Sequence, residues 1–192
     1  VQQVEGDTVT LNLGKINAIM PAPERIPSER HFTGQRLKVF VTSVEETGRG
    51  PRIVVSRAHP NLVAGLFALE VPEIASGTVV AKTIAREAGS RTKMAVQALQ
   101  AGLDPVGSCV GQRGTRVQAV LSELSEEKID IVLWDDDIKK FITNSLSPAK
   151  VDKIELDLKE RRARVHVGED QVSLAIGKGG QNVRLASKLT GW

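Results

Sequence analysis

Tyrosine is missing from this chain, and four Phe and two Trp are its only aromatic side chains. So thin a set argues against a platform of exposed rings on which successive bases stack. The single cysteine, Cys109, excludes an intrachain disulfide and offers no Cys/His spacing for zinc. His31, His59 and His166 lie far apart, without the spacing of a catalytic triad or metal site. No apolar run reaches the length of about 18 residues that a membrane helix needs. The first residues, Val1 to Glu5, carry neither a basic start nor a hydrophobic signal core. These absences point to a reducing, cytoplasmic setting, with no metal and no cofactor.

Charge of one sign is also scarce. The net charge is +3, and the excess is local. Residues 1–75 hold 8 basic and 8 acidic side chains, 76–135 hold 7 of each, and 136–192 hold 11 basic against 8 acidic. A local excess suits phosphate contact but suits a plain soluble surface equally well.

What is present divides by pattern. In the first 57 residues Thr8 to Leu13 alternates and ends at Gly14, Ile16 to Met20 follows, and Pro21 and Pro23 break the run. Leu37 to Val44 and Arg52 to Ser56 flank a turn at Thr47 to Pro51. Short strands at this spacing predict a small β-barrel, and the chain enters it partway through a first strand, as if truncated. From Pro60, Leu62, Val63, Leu66, Phe67 and Leu69 mark one helical face that Pro72 closes. A strand pair follows, Val79 to Arg86 and Thr92 to Ala98; then Asp104-Pro105 opens a short helix with Asp as its cap. A second helix spans Thr115 to Leu124, and Lys128 to Trp134 is a strand.

The order then repeats: helix Asp137 to Leu146, strands Val151 to Leu158 and Ala163 to Val167, a short helix capped by Asp170, and a helix from Gln181 to Leu189. Each copy carries a GxxG loop, Gly111-Gln112-Arg113-Gly114 and Gly177-Lys178-Gly179-Gly180, and the two are 66 residues apart. Composition alone predicts about one or two such tetrapeptides by chance, so their weight comes from the repeat around them. The second copy stops where the first begins its third strand, which predicts a missing final strand. No flexible linker separates the units, so rigidly packed neighbours are expected, with Trp134 at their junction.

Glycine at both ends of such a turn lets backbone amides and a helix N-terminus approach a phosphate. Arg113 and Lys178 add a cation to each loop. This is the arrangement by which KH domains hold about four nucleotides of single strand. The competing description, an ordinary glycine-rich turn between helices, fits each loop singly but not their recurrence.

The stretches DPVGSCVGQRGTRVQAVLSEL and EKIDIVLW resemble the first KH domain of the NusA family of bacterial transcription factors. SLAIGKGGQNVRLASKLTGW resembles the second, and RIVVSRAHPNLVAGLFALEVPEI resembles the join to that family's S1-type barrel. The resemblance implies an α+β, multidomain chain: an S1-type OB barrel over 1–59, then two prokaryotic-type αββααβ KH domains over 60–135 and 136–192. It implies binding of nascent RNA at RNA polymerase, with roles in pausing, termination and antitermination and with other transcription factors as partners of the intact protein. The family's polymerase-binding N-terminal domain is not in this sequence, so strong anchoring to polymerase is not expected of this portion.

The expected RNA contacts are Gly111, Gln112, Arg113, Gly114 and Arg116 in the first copy, and Gly177, Lys178, Gly179, Gly180, Gln181, Asn182 and Arg184 in the second. In the barrel, Phe40 either stacks on a base or packs against the next domain. Arg116 and Arg184 are phosphate contacts or solvated; Gln181 and Asn182 bond RNA or cap the helix. The basic turn Arg161, Arg162 and Arg164 reads as a solvated hairpin. Catalysis finds little footing, because Gly177-Lys178 lacks the remaining residues of a phosphate-binding nucleotide loop and Gly177 and Gly179 are not followed by glycine at 182. The alternatives are an RNA-binding subunit of an RNA-degrading or ribosome-associated assembly, and a scaffold whose KH units no longer bind RNA.

Overall fold

The computed structural model describes residues 1–125 and 127–192. Strands β1 (Gln3–Glu5), β2 (Thr8–Asn12), β3 (Asn17–Met20), β4 (Phe40–Thr47) and β5 (Gly50–Ser56) form one sheet in the order β1-β2-β3-β5-β4. A short parallel contact, Ile19 opposite Val54, joins β3 to β5. Five strands in this order make the OB-type barrel expected. Alternation along β2 and β3 sends Val9, Leu11, Ala18 and Met20 inward to meet Val55. Leu37 and Val39 also pack on this core, yet the ladder starts only at Phe40. A register shift between Val41 and Ser43 then disturbs the alternation that the sequence suggests for the whole run.

The next unit begins with α1 (Pro60–Glu70), whose cap is His59: its imidazole accepts from the Asn61 amide at 3.0 Å. Pro60 occupies the first turn, where its missing N–H costs nothing. Leu62, Val63, Leu66 and Phe67 are buried, but Leu69 is 68% exposed. The helix ends one residue later, and the chain turns through a short helix α2 (Pro72–Ala75), so Val71 takes the buried place that periodicity assigns to Leu69. Strands β6 (Val79–Glu87) and β7 (Arg91–Ala98) pair antiparallel; helices α3 (Pro105–Val110) and α4 (Thr115–Glu123) follow, and β8 (Lys128–Leu133) returns parallel to β7. This is the αββααβ order. Its core joins α1, α3, α4 and the sheet through Phe67, Met94, Val96, Cys109, Val120 and Leu124. Ile26, from the barrel's long loop, enters the same core.

The last unit runs α5 (Ile138–Ser145), β9 (Lys153–Asp157), β10 (Arg162–His166), α6 (Val172–Ile176) and α7 (Gln181–Thr190), with a two-stranded sheet. Asp137 caps α5 by accepting from the Lys139 amide at 3.0 Å. Asp170 does not cap its helix. A 3-10 turn, Glu169–Gln171, precedes α6, and the Asp170 carboxylate accepts from the Gln171 side chain instead. Asp104, its counterpart, does cap α3, bonding the Gly107 amide at 3.0 Å.

The two KH units share a core. Ala85, Ala95 and Val132 of the first meet Phe141, Leu185 and Leu189 of the second, with Trp134 and Ile138 against them. Trp134 therefore lies at the junction, its ring 6.3 Å from that of Phe141 and under the Lys82 ammonium at 4.5 Å. Polar bonds reinforce the seam: Thr83 donates to the Leu189 carbonyl (3.0 Å), Asn144 to that of Leu133 (3.0 Å) and Lys93 to that of Ser147 (2.9 Å). The joint with the barrel adds an ionic network to the apolar contact made by Ile26. Arg57, almost wholly enclosed, donates to both oxygens of Glu29 (2.6 and 2.8 Å) and to Glu123 Oε1 (2.8 Å). Among the described residues, no helix is long and apolar enough to cross a membrane.

Candidate nucleic-acid interface

The two GxxG loops have nearly the same backbone. In the first, Gly111 lies at φ 77°, Arg113 at φ 57°, ψ 26° and Gly114 at φ 73°. In the second, Gly177 lies at φ 76°, Gly179 at φ 60°, ψ 23° and Gly180 at φ 73°. Each loop is closed by one bond from its last glycine to its first, Gly114 N to Gly111 O at 3.2 Å and Gly180 N to Gly177 O at 3.1 Å.

Glycine at the first position is a packing necessity. A Cβ on Gly111 would come within 2.9 Å of Arg116 Cβ and 3.0 Å of its backbone nitrogen. On Gly177 it would come within 2.8 Å of both Asn182 Cβ and Asn182 N. The left-handed φ at both adds to the penalty for any other residue. The third position differs. In the first loop it is Arg113, which takes the left-handed conformation that Gly179 takes freely.

Of the residues singled out from sequence, Gln112, Arg113 and Lys178 are exposed at the loop tips. Neither cation has a side-chain partner among the described residues. Beside the second loop, Val172, Leu174, Ile176 and Val183 are exposed apolar side chains on α6 and α7. A cationic tip next to exposed apolar side chains is suited to a strand whose phosphates meet the tip while its bases lie against apolar surface.

Four expected contacts have other work. Asn182 is completely buried and donates to the carbonyls of Leu146 (3.0 Å) and Ala175 (3.1 Å), so it is not a surface contact. Arg116 donates to Glu73 Oε2 at 2.9 Å and to the Ser108 carbonyl at 2.8 Å, bracing the helix pair. Gln181 donates to Glu87 Oε2 and Ser90 Oγ, both at 2.7 Å, across the seam. Arg184 donates through Nε to Glu87 and through Nη1 to the Gly179 carbonyl at 3.0 Å. Phe40 follows its packing alternative: it stacks on His59 with centroids 4.7 Å apart and lies against the core of the first KH unit.

Glu87 and Ser90 were not visible as site residues from sequence. Their partners lie 94, 97 and 91 positions away, and nothing local marks them. Arg184, with help from Gln181, holds the Glu87 carboxyl down at about 2, from an ordinary 4.5. A lowered carboxyl pKa stabilises the docked state above the ordinary value, and that contribution disappears as protons bind. Docking of the two KH units is therefore expected to weaken as pH falls from 4.5 to about 2. Comparing acid-induced loss of structure in the protein and in its Glu87→Gln variant checks this, the variant showing the shallower fall.

The cysteine and the three histidines each have a local role or a buried place. Burial, with Glu73 nearby, pushes the Cys109 thiol up to about 11, which leaves it protonated at neutral pH. His59 caps α1, His31 bonds Gln35 and His166 bonds Glu155.

Residues 57–134 match the family described as NusA-like first KH domain, and residues 138–192 match the NusA-like second KH domain. The transcription termination/antitermination protein NusA of Halalkalibacterium halodurans is 49% identical over 192 residues, covering 100% of this chain and 50% of that protein. The Thermus thermophilus protein of that name is 53% identical over 184 residues, covering 96% of this chain and 48% of its own length. The Bacillus subtilis one is 50% identical over 192 residues, or 100% and 52%. The chain thus spans about half the length of the curated relatives it matches. With both KH units matched and near 50% identity running on through the barrel, the chain belongs to the NusA family, as its S1–KH–KH portion.

Proposed function

We propose that this chain is the RNA-binding portion of a transcription termination/antitermination factor and that it grips single-stranded, nascent RNA at its two GxxG loops. The observation that carries this is the pair of loops with one backbone conformation, each presenting an exposed, unpaired cation, Arg113 or Lys178, among the described residues. The relatives' name, termination/antitermination protein, supports the transcriptional setting. In this reading the chain acts as three units, 1–59, 60–135 and 136–192, works in the cytoplasm and binds rather than catalyses. Contacts with RNA polymerase and other factors belong to the intact protein. Joining two grips on one seam raises the effective concentration of the second once the first has bound.

The test is a charge reversal at both tips, Arg113→Asp with Lys178→Asp. Fluorescence anisotropy with a labelled single-stranded RNA should show affinity reduced at least about tenfold, because two phosphate contacts are lost and two repulsions gained. The slope of log affinity against log salt should become shallower by about 1.4, two contacts at about 0.7 each. Circular dichroism should be unchanged, since both side chains are exposed. Unaltered affinity would place the site elsewhere.

A further inference from the structure

Glu87 is the last residue of β6, in the first KH unit, yet both its oxygens are taken by the second. One accepts from Arg184 Nε and the other from Gln181 Nε2 at 2.7 Å. Both partners stand on the first turn of α7, directly after the GKGG loop. The same guanidinium reaches back into that loop, donating to the Gly179 carbonyl at 3.0 Å. A carboxylate of one unit thus sits one guanidinium away from the phosphate-binding loop of the other. Arginine's planar fork fits a carboxylate and a phosphate equally well. Beside the first loop Thr115 and Gln118 occupy the equivalent positions, and the arginine that follows that loop, Arg116, is held by Glu73 of its own unit at 2.9 Å instead of by a carboxylate across the seam.

We propose that Glu87 is a built-in competitor for RNA phosphate at the second loop, occupying Arg184 so that phosphate binding and the docking of the two KH units draw on one guanidinium. This rests on the RNA reading above. Arg184 is then a reserve contact, available to a phosphate only when Glu87 gives it up. The carboxylate also lowers the positive potential at the second tip, so the second loop binds more weakly than its own residues would allow.

The variant Glu87→Gln keeps the side chain's shape and removes its charge. Binding of a labelled single-stranded RNA to the S1–KH–KH chain should tighten severalfold, and the salt dependence should steepen by about 0.7, one added phosphate contact. In the variant, RNA should also shift the Arg184 Nε–H resonance in a nitrogen-correlated NMR spectrum. A purely structural role for Glu87 predicts the opposite sign, because looser docking lowers avidity. Equal or weaker binding by Glu87→Gln, or an Arg184 signal that RNA leaves unmoved, overturns the proposal. If Lys178→Asp weakens binding while Glu87→Gln does not tighten it, only the role of Glu87 falls. If neither the protein nor any variant binds RNA, the RNA reading falls and takes this one with it.

Discussion

Replacing Glu127 by alanine should destabilise the chain by about 3–5 kcal/mol, the range for breaking a buried ion pair from one side. Glu127 and Arg86 have no exposed side-chain surface. The carboxylate accepts from Arg86 Nη2 at 3.0 Å, from the Gly89 amide at 2.8 Å and from Thr92 Oγ1 at 2.8 Å. Its removal leaves a guanidinium out of water with, among the described residues, only the His59 carbonyl, at 2.9 Å, as a partner. It also strips the β6–β7 turn of the acceptor that fixes it. The sign comes from desolvation rather than from the strength of the pair itself. Replacing both partners, Arg86→Met with Glu127→Leu, should therefore cost less than the single change. Urea denaturation followed by tryptophan fluorescence measures both. A double variant weaker than the single one would show that the hydrogen bonds to Gly89 and Thr92 dominate instead.

Arg57→Met should cost about 3 kcal/mol, the lower end of the same range. Glu29, which keeps only 8% side-chain exposure, loses its bidentate partner, but Glu123 is 25% exposed and water can reach it. The pair at Glu127 has no such relief, which orders the two effects. Arg57 also donates to the carbonyls of Lys38 (2.7 Å) and Glu123 (2.8 Å). One side chain therefore bonds the long barrel loop, the approach to β4 and the end of α4. Its loss should show as faster proteolysis near residues 57–60, together with a lower urea midpoint. A variant that keeps both the midpoint and the cleavage rate would mean that the barrel is held by Ile26 in the neighbouring core and not by charge.

The contrast between these networks and the GxxG loops explains how much was legible beforehand. The loops were readable because their requirements are local: glycines at fixed spacing, two short helices and a cation. The αββααβ order was readable because periodicity and proline placement are local too. Arg57, Arg86 and Lys93 carry no such mark. In sequence they are ordinary cations on strand ends, and only the fold reveals that each is enclosed with a carboxylate. The partners of Asn182 and Arg184 are hidden from the sequence for the same reason. A polar residue just after a phosphate-binding turn looks like a contact, but Asn182 points inward to hold the ends of α5 and α6, and Arg184 is held by a carboxylate 97 positions earlier. From sequence Phe40 fits either of two roles, because the stacking partner that decides between them, His59, belongs to the next unit's helix cap.

The agreement between Arg113 at φ 57°, ψ 26° and Gly179 at φ 60°, ψ 23° has a consequence for how such sites diversify. A side chain in that conformation costs about 1–2 kcal/mol, yet the loop does not change to avoid it. Gly111 and Gly177 are seated against the following helix, and two different pairs of middle residues fit the same backbone. Charge has moved from the third position in one copy to the second in the other without any rebuilding. A repeated loop of this kind can exchange both middle residues while its backbone stays fixed.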